Sequence, residues 1–85
     1  MEYVKLAATR YITLNNEWVH FDTRGRVCEI TVIQGMLNLR AATDSVTASD
    51  TLSYYSGQTV RFMGKADLRS DDGTTACRCL AFDPV

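Results

Sequence analysis

From Leu52 to Phe82 a turn signal recurs every few residues, and that punctuation constrains the chain more than any other feature. Ser56-Gly57, Gly64-Lys65 and Asp71-Asp72-Gly73 separate runs such as Gln58–Met63 and Ala76–Phe82. Short strands at such spacing build a small all-β sandwich or barrel. No window of about eleven residues keeps an apolar i, i+3, i+4, i+7 stripe, and β-branched and aromatic residues are spread throughout. The expected fold is an antiparallel β-sandwich or barrel of seven to eight short strands, formed by residues 1–85 as a single domain.

The strands can be placed from period and turn chemistry. Tyr3–Ala8 opens the series and runs on as Tyr11–Leu14. Asn15-Asn16 makes a turn, since Asn tolerates left-handed angles, and joins Tyr11–Leu14 to Trp18–Phe21 as a hairpin. Arg24-Gly25 turns the chain again. In Arg26–Ile33, Cys28, Ile30 and Val32 share one face, while Val27, Glu29, Thr31 and Ile33 share a wetter one. Gln34-Gly35 leads into Met36–Ala41, where Leu37, Leu39 and Ala41 point inward and Asn38 and Arg40 face out. Residues 42–51 are small, polar and without period, as in a surface loop that contacts a partner or simply joins two sheets. Leu52–Ser56, Gln58–Met63 and Lys65–Ser70 follow. A hairpin turn at Asp71–Gly73 then leads to Thr75–Phe82, and Pro84 ends the pairing.

With 46% hydrophobic and 22% charged residues over 85 positions, the chain can bury an adequate core. A net charge of -1 gives no basic excess for phosphate neutralisation, which argues against nucleic acid as a partner. No segment reaches the roughly 20 apolar residues of a membrane helix. The first residues lack the basic and apolar regions of a signal peptide, so the expected place of synthesis is a cytoplasm. Seven of the nine basic residues are Arg, a bias toward bidentate contacts with carboxylates.

No catalytic constellation stands out. His20, the only histidine, has Val19 and Phe21 as neighbours and reads as the outward residue of a strand. Cys77-x-Cys79 with Cys28 and His20 falls short of a zinc site, because the cysteines alternate on a strand with no knuckle turn. Reduced, inward thiols are the better account. Asp71-Asp72-Gly73 lacks the oxygen ligands that a calcium loop continues with. The expectation is therefore a protein that is not an enzyme and has no metal and no cofactor. Trp18, Tyr11, Tyr54 and Tyr55 would make a sugar-binding platform if they shared one surface, or else pack as ordinary strand aromatics. Arg40, Arg61, Arg69 and Arg78 fall at outward strand positions. Facing Glu29, Asp67 or a partner's carboxylates, they would fix orientation at an interface.

The order of features resembles the small β-sandwich virion proteins of tailed bacteriophages, the head-decoration (cement) and related accessory proteins. The resemblance rests on Leu37-x-Leu39-Arg40-x-Ala42, the small polar loop with Ala48 and Asp50, and Leu52-x-Tyr54. It continues through Ser56-Gly57-Gln58-Thr59-Val60-x-Phe62 and Gly64-Lys65-Ala66-x-Leu68-Arg69, and covers roughly residues 11–82. The three cysteines and Tyr54-Tyr55 depart from the pattern. The resemblance implies a structural protein, made in host cytoplasm and carried in the virion, that binds a major capsid or other virion protein. It also implies a homo-oligomer, often a trimer. Arg40, Asp44, Asp50, Tyr54, Tyr55, Arg61 and Arg69 would be its interface residues. A carbohydrate- or receptor-binding tail or fibre accessory module is the alternative.

Overall fold

Along 27–32 burial alternates residue by residue, and the same two-residue period organises the strands of both sheets. The computed structural model describes residues 5–41 and 51–83. They form β1 (Lys5–Leu14), β2 (Val19–Asp22), β3 (Val27–Gln34), β4 (Met36–Ala41), β5 (Leu52–Tyr55), β6 (Thr59–Phe62), β7 (Lys65–Ser70) and β8 (Thr75–Asp83). Among the described residues there is no helix, hence none long and apolar enough to cross a membrane. Asp44, Asp50 and nearly all of the expected 42–51 loop lie outside the described residues, as do Pro84 and the start of the expected first strand.

Two four-stranded antiparallel sheets result, one in the order β1-β8-β3-β6 and the other in the order β2-β7-β4-β5. Every chain connection but β4 to β5 passes from one sheet to the other. The expected hairpin between Tyr11–Leu14 and Trp18–Phe21 is therefore absent: β1 pairs with β8, and β2 with β7. Asp71–Gly73 is likewise a corner between sheets, not a hairpin turn. A turn motif does not fix which sheet receives the next strand. The first strand is also continuous from Lys5 to Leu14, broken only by a bulge between Leu6 and Ala8.

Between the sheets lies a core of Leu14, Cys28, Ile30, Val32, Leu37, Leu39, Ala66, Leu68, Cys77 and Cys79. Ile30, Val32, Leu37 and Leu68 are almost wholly enclosed, and each contributes about 1.5–3 kcal/mol through removal from water. Asn38 points away from this core as expected. It is nonetheless buried, because its Nδ2 donates to Asp71 Oδ1 (2.9 Å) and its Oδ1 accepts from Ser53 Oγ (3.0 Å).

One end of the sandwich is tied by hydroxyls. Thr75 and Ser70 have no exposed surface, and their oxygens lie 2.7 Å apart. Thr75 Oγ1 reaches the Met36 carbonyl at 2.9 Å, and Ser70 Oγ reaches Asp72 Oδ1 at 3.0 Å. The amides of Ser70 and Asp71 donate to the carbonyls of Asn15 and Met36. Three inter-sheet corners thus meet at one buried polar knot, with Gly35 pressed against it. At φ +93°, a Cβ on Gly35 would stand 2.6 Å from the Thr74 carbonyl oxygen and 2.7 Å from Thr75 Oγ1. Gly35→Ala combines left-handed strain with this clash and is expected to destabilise the fold by about 2–4 kcal/mol. Urea denaturation measures it, and Gly57→Ala, which meets no atom within 4 Å, serves as the reference for strain alone.

Candidate functional site

Directly opposed residues of an antiparallel pair share a face, so register reveals which charges point between the sheets. Arg10 on β1 opposes Cys79, which opposes Ile30; Ala8 opposes Ala81, which opposes Cys28. Arg10 therefore belongs to the inner row, at the edge where β1 has no neighbour. It lies beside a cleft of about 470 Å³ bounded by Ala8, Arg10, Phe21, Asp22, Thr23, Arg24, Arg26, Cys28, Cys79 and Ala81, with His20 at its margin.

The wall opposite β1 is set by a tight turn. The Arg26 amide donates to the Thr23 carbonyl (3.1 Å), and Arg24 and Gly25 both have positive φ, +55° and +81°. Left-handed angles at both central positions define a type I′ turn, which favours Asn or Gly. Asp22 Oδ1 accepts the Arg24 amide at 2.9 Å and holds the turn, while buried Thr23 anchors it to Gly64 through two hydrogen bonds. Arg24 thus holds a left-handed angle on the rim of the cleft. Arg26 pairs with Asp83 at 2.7 Å. Among the described residues neither Arg10 nor Arg24 has a carboxylate within ion-pair distance. The Arg10 guanidinium carbon stands 5.8 Å from the Phe21 ring centroid, and Phe21 packs edge-on against Phe62.

The floor is sulfur and methyl. Burial pushes the Cys28 thiol up to about 11; nearby Cys79 adds to the shift, and Arg10 and Arg26 oppose it. Burial likewise carries Cys77 to about 11 and raises Cys79. At neutral pH these are uncharged thiols, poor nucleophiles and poor metal ligands. His20 faces the other way, with Nδ1 3.2 Å from Asp67 Oδ1, so histidine and cysteines do not converge. Among the described residues no three His, Cys, Asp or Glu side chains cluster as metal ligands.

The sequence-derived candidates do not form one site. Arg61 binds Glu29 on the outside of the first sheet (Nε to Oε2, 2.9 Å). Arg40 and Arg69 lie on the outer face of the second sheet, at register positions opposite Asp67 and Asn38. Trp18 and Tyr55 lie on the outer face of the second sheet, but the four aromatics do not converge. Tyr54 packs against the core; Tyr55 is 56% exposed; Trp18 is half-buried; Tyr11 is 71% exposed on the other sheet. A shared sugar-binding platform is therefore not assembled. Arg10, Arg24 and Arg26 were missed. Thr9-Arg10 reads as a gap between strands, and only the β1–β8 register turns Arg10 inward.

No protein-family model and no curated protein matches the chain. Solved structures do. The cupin domain of an XRE family transcriptional regulator from Enterobacter cloacae superposes with a TM-score of 0.66 at 17% identity, covering 98% of this chain and 97% of that one. The CENP-C cumin domain of Drosophila melanogaster gives 0.70 at 11% identity, and an HTH_3 family transcriptional regulator from Vibrio cholerae gives 0.69 at 13%. The fold is cupin-like. The match takes in 88% and 91% of this chain but only 58% and 43% of those two proteins. None of the three is a virion protein, and this overturns the expected role in capsid decoration together with its tail-fibre alternative. The strand-and-turn cadence behind that resemblance records how often the chain turns, not how its strands are ordered.

The raised thiols have a consequence for stability. Between an unfolded cysteine's 9.0 and about 11, the folded chain holds protons on Cys28 and Cys77 that the unfolded chain has lost. Stability is thus expected to be full below pH 9 and to fall as pH rises toward 11. Urea midpoints across this window test it, and Cys77→Val should flatten the decline.

Proposed function

We propose that this chain is a binding module that holds a small organic anion in the cleft between β1 and the 23–26 turn. What carries the reading is the inward row position of Arg10, a guanidinium beside the cleft with no ion-pair partner among the described residues. Arg24 on the opposite wall brings a second cation, while Arg26 beside it is paired with Asp83 and Asp22 is the carboxylate on the lining. Guanidinium groups bind carboxylates and phosphates in bidentate fashion, and they do so most strongly where water is partly excluded. The floor of Cys28, Cys79, Ala8 and Ala81, with Phe21 at the side, suits a compact apolar body behind the charged head. A volume of about 470 Å³ fits such a molecule. Structures with this fold include domains of transcriptional regulators. No reaction is assigned, since the thiols are protonated and the histidine points out.

Thermal unfolding with small carboxylates, phosphomonoesters and their neutral amide or alcohol counterparts is the direct test. Anions should raise the melting temperature and the neutral analogues should not; a ligand at 100 times its Kd would add about 2.7 kcal/mol. Arg10→Gln should remove the effect. Equal shifts from the neutral analogues, or a full response in Arg10→Gln, would end this reading. Arg24→Gly should act in two directions at once. It relieves left-handed strain of about 1 kcal/mol and raises stability without ligand, yet it weakens anion binding.

A further inference from the structure

The outer face of the sheet β2-β7-β4-β5 carries a second, separate set of charges. His20 opposes Asp67, which opposes Arg40; Arg69 opposes Asn38, which opposes Ser53. All lie on the side away from the core. Asp67 is shared, its Oδ1 toward His20 and its Oδ2 3.1 Å from Arg40 Nε. Over this row lies Trp18, with the guanidinium carbons of Arg40 and Arg69 4.1 and 4.5 Å from its ring centroid. Among the described residues, the two cations stacked on one indole have one ion-pair carboxylate between them, Asp67.

Arg69 stands out in this group. It has no carboxylate partner among the described residues, and its Nε is the one buried side-chain polar atom among them that lacks a hydrogen-bond acceptor. The unpaired Nε carries a desolvation cost within the protein, and the terminal nitrogens of the same guanidinium are left to meet an acceptor. The stacking holds both guanidiniums flat, so little side-chain freedom is left to lose on binding. Among the described residues no strand covers this face. It is open sheet, whereas small ligands need concave sites. Tyr55, outward on β5, adds an exposed aromatic to the same side. Trp, Tyr and Arg are the residues that dominate protein interfaces.

We infer that this face docks an acidic segment of a protein partner, with a carboxylate of that segment bridging Arg69 and Arg40 beside Trp18. The inference does not depend on the cleft, which opens between the sheets. Trp18 is the only tryptophan, so its emission reports the site directly. The full chain is titrated at low salt with a Glu-Gly repeat peptide, with its Gln-Gly counterpart, and with acetate at equal carboxylate concentration. The Glu peptide should give a saturable change in emission that salt suppresses. Arg69→Gln should weaken it by about tenfold or more, as loss of one charge-assisted hydrogen bond requires. Arg69→Lys should restore it only in part, and Arg61→Gln on the other sheet should leave it intact. If Arg69→Gln does not fold, Arg40→Gln takes its place. No emission change, an equal response to the Gln peptide or to acetate, or equal weakening by Arg61→Gln would each overturn the proposal.

Discussion

The hydroxyl of Thr75, with no exposed surface, sits where the corners at 15–18, 34–36 and 71–74 come together, and the arrangement of the sheets depends on it. A chain that changes sheet at nearly every turn exposes backbone groups at each crossing, and these need partners once buried. Thr75, Ser70 and the carbonyls of Met36 and Asn15 provide them. With that end closed, β1 and β2 are free to part at the other, and the cleft is the space they leave. The polar knot and the open mouth are two ends of one construction.

Charge is divided between the two surfaces by the same alternation that builds the core. On β1 the inward row ends in Arg10, which gives the cleft its cation. On β7 the outward row places Asp67 and Arg69 under Trp18. Arg61 and Glu29, exposed on the first sheet, form a surface pair of the kind that adds roughly 0–1 kcal/mol to stability. They differ from Arg69, whose Nε is buried and unpaired. Sequence position makes Arg61 and Arg69 look alike; burial separates them.

Much of the molecule could be read from residue period. Strand positions, the inward set Cys28, Ile30 and Val32, the shared face of Cys77 and Cys79, and the outward placing of Arg40 and Arg61 all follow from alternation. Their pairing with Asp67 and Glu29 depends on strand order. The order of strands did not follow from period, because Asn15-Asn16 and Asp71-Asp72-Gly73 are good turns whether they close a hairpin or cross between sheets. The cleft was hidden for the same reason: Arg10 and Arg24 are 14 positions apart and approach each other only through that order. Trp18 was noticed as an aromatic, but its cover of two guanidiniums depends on β2 lying beside β7.

The pairing of β1 with β8 bears on how the chain acquires its shape during synthesis. Its earliest strand finds its neighbour only in its latest, and β3 likewise waits for β8 along one edge. Local hairpins that speed other small β proteins are nearly lacking, so loop closure over most of the chain comes first. While the C-terminal strand is still inside the ribosome the first sheet has no centre, and the apolar row of β3 stays open to aggregation or to a chaperone. The domain is therefore committed to completing its first sheet only once β8 has left the ribosome.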